Sequence, residues 1–169
     1  LGPGLPLLGA ERLHHGAEAR VVALGHGLVE HARLRARRRA GLVAGRRRFD
    51  VLLRAMARVP NTYLWLAGEG PLRESLEKQA EDLGIKPRVR FLGWREDTPA
   101  LFASCDLFVC PSRHEPLGNV VLEAWAQGVP IIAADSMGPG TLIEHMDSGI
   151  LVPVDDSDAL ARAIRAVTE

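Results

Sequence analysis

The sequence predicts an α/β fold, a parallel sheet with helices on both faces. Three observations predict it. From Phe49 onward, segments of helical period alternate with short apolar runs of strand length. Apolar runs end at glycine-bearing turns, at residues 68–71, 93–95 and 138–140. The third is the stretch 111–128, Pro-Ser-Arg-His-Glu-Pro-Leu-Gly-Asn-Val-Val-Leu-Glu-Ala-Trp-Ala-Gln-Gly. It joins a strand-like run (107–110) to a helix-like run and sets Glu115 and Glu123 eight residues apart.

Each element has its own warrant. In 49–59, Phe49, Leu52, Leu53 and Met56 fall on one helical face, and Pro60-Asn61 stops the helix. Residues 63–67, YLWLA, read as a buried strand that turns at Gly68-Glu69-Gly70-Pro71. Residues 72–83 form a helix with Leu72, Leu76, Ala80 and Leu83 on one side, ended by Gly84. A short strand covers 89–92, a helix 98–104 and a strand 107–110. A helix over 118–127 closes at Gly128, and 129–134 is a strand. Asp135 and Gly138-Pro139-Gly140 are expected to form a loop. Residues 150–153 are the last strand, and the acids at 155–158 open a final helix over 159–167, where they suit its dipole.

Short connections between alternating elements imply right-handed crossovers, which put every strand-to-helix loop on one edge of the sheet. Such an edge is where nucleotides bind in open α/β folds. Free N–H groups at a helix start attract phosphate, and carboxylates beside it accept hydrogen bonds from sugar hydroxyls. The fold class is therefore Rossmann-like.

Composition narrows the rest. The 169 residues suit one domain, and no apolar run approaches the length of a membrane span. The chain does not begin with Met and reads as a piece of something longer. Cys105 and Cys110 lie an odd number of residues apart near one strand, so they are expected on opposite sides, unbridged. The acids at 155–158 are a helix cap rather than a metal site, and no set of metal ligands is evident. Arg113 is expected to pair with Glu96 or Asp97.

The formal net charge of zero hides an asymmetry. Residues 1–48 hold ten Arg against three Glu, while 49–169 hold eleven basic against eighteen acidic side chains. An acidic body argues against nucleic-acid binding. Residues 1–48 also use only eight residue types, all writable with GC-rich codons, and the texture changes at Phe49. We divide the chain there, into an anomalous low-complexity segment 1–48, which would hold the first strand, and a Rossmann-like domain 49–169. One reading of the segment is a coding region read out of frame. The others are a divergent βα unit, with strand and glycine turn at 21–27, or a disordered basic arm.

The run from 49 to 167 resembles the C-terminal half of a retaining GT-B glycosyltransferase of the glycosyltransferase 4 (group 1) type. The landmarks are Phe49-Asp50-Val51-Leu52-Leu53, Gly68-Glu69-Gly70-Pro71, Val89-Arg90-Phe91-Leu92-Gly93, Pro111-Ser112 and Glu115-Pro116-Leu117-Gly118. Glu123-Ala124, Gly128-Val129-Pro130-Ile131-Ile132-Ala133 and Gly149-Ile150-Leu151-Val152 complete the ordered set, over about 120 of 169 residues. Residues 113–119 look most like bacterial members that build lipopolysaccharide or other surface glycans.

The resemblance implies one half of a GT-B fold, and a role for each landmark. Glu115 contacts the donor sugar, and Glu123 accepts from ribose hydroxyls. Backbone N–H groups around Leu117, Gly118, Asn119 and Val120 hold the diphosphate. Phe91, Leu92 and Gly93 carry the base, with Gly68 and Glu69 bordering it. The family's Gly-Arg…Lys-Gly motif before Phe49 is absent, and Arg47 falls where the Lys is expected. A nucleoside-diphosphate sugar is the substrate, no cofactor or metal is used, and an N-terminal acceptor domain is the missing partner. The setting implied is cytoplasmic, with any peripheral contact at the inner face of the membrane made through the full-length parent. The rivals are a nucleotide-sugar epimerase of the same architecture and a non-catalytic nucleotide-binding or interaction module.

If residues 1–48 are an out-of-frame reading, peptide mass mapping of the expressed protein will match another frame there. Peptides of the written sequence would remove that idea.

Overall fold

The computed structural model describes residues 19–24 and 48–169. Within them, six strands form one parallel sheet: β1 (Ala19–Leu24), β2 (Thr62–Ala67), β3 (Val89–Gly93), β4 (Leu107–Cys110), β5 (Ile131–Ala134) and β6 (Ile150–Val152). The helices are α1 (Phe49–Met56), α2 (Arg73–Asp82), α3 (Thr98–Ser104), α4 (Asn119–Ala126), α5 (Met137–Leu142) and α6 (Ser157–Thr168), with a 3-10 turn at Lys86–Arg88. The strand order is β3-β2-β1-β4-β5-β6. The chain winds outward from β1 to β3, then returns to the other side of β1 with β4. The order therefore reverses between β1 and β4, the kind of switch point at which open α/β sheets seat their ligands.

The sheet separates two apolar layers because strand side chains alternate in direction. Val21, Ala23, Leu64, Leu66, Leu107, Val109 and Ile132 face α1, α2 and α6. Val22, Leu24, Phe108, Cys110, Ile131 and Ala133 face α3 and α4. On that second face Phe102 meets Phe108 edge to face, ring centroids 5.0 Å apart. The helix ends follow their sequence signals. Gly84 adopts φ 68, donates to the Glu81 carbonyl and lets the Ile85 N–H reach Ala80. Asp156 caps α6, its Oδ1 accepting from the N–H groups of Asp158 and Ala159 at 2.9 and 2.8 Å.

Strand β1 lies at the centre of the sheet, bonded to β2 on one side and β4 on the other. Val21, Val22 and Ala23 are fully buried. Arg20 fixes its start, donating to Asp106 from its backbone N–H (2.8 Å) and from Nε (3.1 Å). Of the three readings of 1–48, the one that put a strand at the start of 21–27 matches β1, which begins two residues earlier, at Ala19. The glycine turn after it, the arginine runs and Arg47 lie outside the described residues.

Four expectations are corrected. Residues 137–142 are not loop but the helix α5. Gly and Pro argue against a helix by propensity, yet Pro139 falls in the first turn, where its missing N–H costs nothing. Cys105 and Cys110 are both buried, joined by no disulfide, and in the same apolar layer. Cys105 precedes β4 at the end of α3, so strand alternation does not apply to it. Burial, with Asp106 beside it, pushes the Cys105 thiol up to about 12, which makes it inert. Leu72 sits at the N-cap of α2 and is exposed rather than part of its apolar face. Arg113 pairs with Asp155, not with Glu96 or Asp97.

Val22→Ala will lower stability by about 2 kcal/mol by denaturant unfolding, the cost of an unfilled core position. An unchanged midpoint would show that 19–24 does not form the central strand.

Candidate functional site

The carboxyl edge of the sheet carries two loop pairs, one on each side of β1. On the β2–β3 side, the pairing register shifts after Leu66: Leu66 is opposite Phe91, but Ala67 is opposite Gly93. The extra residue, Leu92, makes a bulge that turns the end of β3. Gly93 then adopts φ 70, Gly68 adopts φ 133, and the Gly68 N–H donates to the Gly93 carbonyl at 2.6 Å. Glu69 Oε1 lies 3.4 Å from where a Cβ on Gly93 would be. Arg73 extends over the same strand end, 6.0 Å from the Phe91 ring centroid. The five residues expected on this side, Gly68, Glu69, Phe91, Leu92 and Gly93, thus meet at one spot.

On the β4–β5 side, two backbones touch. The Gly138 N–H donates to the Glu115 carbonyl at 2.7 Å. A Cβ on Gly138 would collide with the Gly118 nitrogen and come within 2.5 Å of the Glu115 oxygen and 2.7 Å of the Leu117 carbonyl carbon. Gly118, at φ 67, is the N-cap of α4, and a Cβ there would lie 2.8 Å from Leu142 Cδ1. Glycine is needed at 118 for its left-handed backbone as well as for space. Because the cap is glycine, no side chain among the described residues caps the first turn of α4, where the N–H groups of Asn119 and Val120 lack the intrahelical partners of later turns. Leu117 is well exposed beside them.

Glu115 is only 8% exposed, at the base of this loop. Glu123 lies one turn into α4, on the face that Asn119 shares at i,i+4 spacing. The two carboxylates are close enough to feel each other: burial first, and then the charge of Glu115, push Glu123 above its usual range. The structure thus brings Glu115, Leu117, Gly118, Asn119, Val120 and Glu123 together at the switch point. Among the described residues, no group of three or more His, Cys, Asp or Glu side chains is arranged to hold a metal ion.

Sequence reasoning placed the 135–140 segment at the rim but gave Gly138 and Ser136 no role of their own. Gly138 sets the loop by backbone contact, and the only hint was its place in Ser-Met-Gly-Pro-Gly. Ser136, at the N-cap of α5, has a buried hydroxyl without a hydrogen-bond partner among the described residues, which no sequence pattern signals.

The family model for "Glycosyl transferases group 1" matches residues 39–169. The chain belongs to this family. A curated relative, the lipopolysaccharide core biosynthesis glycosyltransferase LpsE of Rhizobium meliloti, is 46% identical over 127 residues, 75% of this chain and 37% of LpsE. Another from the same organism, LpsD, is 43% identical over 76% of this chain and 38% of its own length. The chain therefore spans under two-fifths of the length of these relatives. Among solved structures, Anabaena HepE in complex with UDP and glucose superposes with TM-score 0.75 at 30% identity, covering 90% of this chain and 39% of that one. The six-stranded sheet is the Rossmann-like architecture of GT-B glycosyltransferases, and the matched region includes every site residue named above. Among the described residues, no helix is long and apolar enough to cross a membrane.

The upward shift of the Glu123 pKa has a stability consequence. A carboxyl whose folded value lies above its unfolded one stabilises the fold while protonated, and that contribution is lost as pH rises through the folded value. At neutral pH the charged Glu123 is therefore a burden on the fold. Glu123→Gln will raise the melting temperature at pH 7 by roughly 1–3 °C, and the gain will shrink as pH is lowered to about 4. A loss of stability at pH 7 would contradict the electrostatic account.

Proposed function

We propose that this chain is the donor-binding half of a retaining glycosyltransferase. It moves a sugar from a nucleoside-diphosphate sugar to a glycan or lipid-linked acceptor in bacterial lipopolysaccharide or surface polysaccharide synthesis. The observation that carries the reading is the pairing of two interacting carboxylates, Glu115 and Glu123, beside the start of α4 at the switch point. Two acceptor-only groups suit the hydroxyls of a polyol, and the adjoining N–H groups suit its diphosphate. HepE, whose structure holds UDP and glucose, and LpsE, named for lipopolysaccharide core synthesis, lend support.

In this reading Glu115 holds the transferred sugar and Glu123 the ribose. Leu117, Gly118, Asn119 and Val120 hold the diphosphate, and Phe91, Leu92, Gly93, Gly68 and Glu69 border the base. Arg47 adds positive charge to the diphosphate. The enzyme's main task is to stabilise the departing nucleoside diphosphate, which oriented N–H groups do without reorganising. The nucleotide sugar is a substrate, so the transfer uses no cofactor. The acceptor site belongs to a further domain, in keeping with the short span of the chain against its relatives. Closure of the two halves excludes water from the reaction, and any membrane contact is made through the whole protein at the cytoplasmic face. Family membership favours transfer over epimerisation.

Calorimetric titration of the intact protein with UDP, GDP and ADP sugars, and with the bare diphosphates, tests the assignment. Glu123→Ala will weaken both forms of the preferred nucleotide by about 3–10-fold, the worth of a hydrogen bond to a charged acceptor. Glu115→Ala will weaken the nucleotide sugar alone. Failure of the wild type to bind any of the three would sink the reading. Donor converted to its epimer without acceptor would favour the epimerase, and NMR of the product's anomeric configuration decides retention.

A further inference from the structure

We propose that Asp155 is a positioning residue, whose carboxylate holds Arg113, and with it the start of the Glu115 loop, against the entry of α1. The inference rests on the proposed role of Glu115 and extends it to residues outside the site.

Asp155 lies in the turn between β6 and α6. Its Oδ2 accepts from Arg113 Nε at 2.9 Å and also from Arg113 Nη2, while its Oδ1 accepts from Arg48 Nη1. Each carboxylate oxygen thus serves one arginine. Arg48 forks onto Asp50 with its other edge, at 3.0 and 3.1 Å, and Asp50 also accepts from Arg54 at 3.1 Å. Burial opposes the charge on Asp50, but the two arginines outweigh it and hold its carboxyl below the usual range. The result is a chain of alternating charge, Arg113–Asp155–Arg48–Asp50–Arg54, that joins three separate rim segments.

The backbone adds a second observation. Arg48 and Asp155 have φ of 50 and 65, in the left-handed region that non-glycine residues seldom adopt. Two of the four such residues described are bound to each other, so the pairing holds both turns in shape. The pair is also partly shielded: the Arg48 side chain is 16% exposed and that of Asp155 32%. Shielding makes it stronger than an ordinary surface pair.

The geometry explains what the chain of charges does. The loop 111–118 is drawn toward α5 by the Glu115–Gly138 hydrogen bond and by Gly118 against Pro139 and Leu142. The Arg113–Asp155 pair draws it the other way, toward the sheet face that α1 and α6 cover. Glu115 sits two residues after Arg113, between the opposing ties, so its carboxylate position depends on both.

Asp155→Asn isolates the charge. Asparagine keeps the shape and tolerates a left-handed backbone, but offers one acceptor where two are needed. With the intact protein, affinities for UDP-glucose and UDP (or GDP-mannose and GDP, if the wild type prefers guanine) are measured by calorimetry. Amide hydrogen exchange is followed over 112–118. The variant is expected to bind the nucleotide sugar about 5–10-fold more weakly, with the bare nucleotide changed less than about twofold. Exchange across the loop is expected to quicken. Arg113→Gln should match it, and the double variant should be no worse than either single one. An unchanged ratio of sugar to bare-nucleotide affinity, or additive single variants, would overturn the proposal. Should the wild type bind no nucleotide sugar, the reading of Glu115 fails separately. Loop exchange then decides for Asp155, and unaltered exchange in Asp155→Asn rejects the clasp.

Discussion

Two main chains lie in direct contact at the rim, and glycine is what permits it. Any side chain on Gly138 would fall among the backbone atoms of Glu115, Leu117 and Gly118. Gly118 is confined in the same way by Leu142 and Pro139. This contact places the start of α5 beneath the Glu115 loop and locks the first turn of α4 to the end of β5. The direction of the α4 N–H groups and the depth of Glu115 both follow from it. Side-chain packing could not supply the same fixity, because rotamers adjust, whereas two backbones in contact cannot slide without breaking the Gly138–Glu115 hydrogen bond.

That fixity is used to hold something unfavourable. Glu123 is charged in a place where burial and a neighbouring carboxylate resist the charge. Such a pair persists only if the surroundings prevent the side chains from separating into solvent. The restraint comes from the apolar layers on either side of β1, whose middle residues are fully buried. An acidic rim on an apolar sheet divides the part of the fold that meets solvent and ligand from the part that keeps it folded.

Much of this was legible in the sequence, and the limits have physical causes. The strands and the long helices were readable because period and glycine punctuation are local properties. The residues 98–104 and 107–110 were placed to the residue. The landmarks around Glu115 and Glu123 marked the rim correctly because a strand-loop-helix unit is contiguous in the chain. What was not legible depends on distant partners. Helix α5 exists despite its Gly-Pro-Gly because Gly138 packs under a loop twenty residues earlier in sequence. Arg113 finds Asp155 rather than its nearer acids because β6 stands two strands from β4 and β3 three, a matter of strand order. Cys105 and Cys110 share a layer because one of them is not in the strand. Strand β1 lay hidden in a composition unlike the rest of the chain, and its place between β2 and β4 is a tertiary fact.

The rim has two halves, and the strand between them explains why both are needed under the proposed reading. The β2–β3 half is shaped by a bulge and the Gly68–Gly93 hydrogen bond. The β4–β5 half is shaped by the Gly138 contact. With β1 between, the ends of β2 and β4 stand two strand spacings apart, about 10 Å. A base seated at the first half and a sugar at the second would then be joined by the ribose and diphosphate, crossing the carboxyl end of β1. The oriented N–H groups of α4 lie at the second half, next to Glu115, so the bond to be broken would sit where the loop is most tightly held. The base would rest where main chain dominates, at Leu92 and Gly93. A site so divided separates two demands: the reacting end is fixed by opposed ties on one loop, while the base end can change identity without disturbing them.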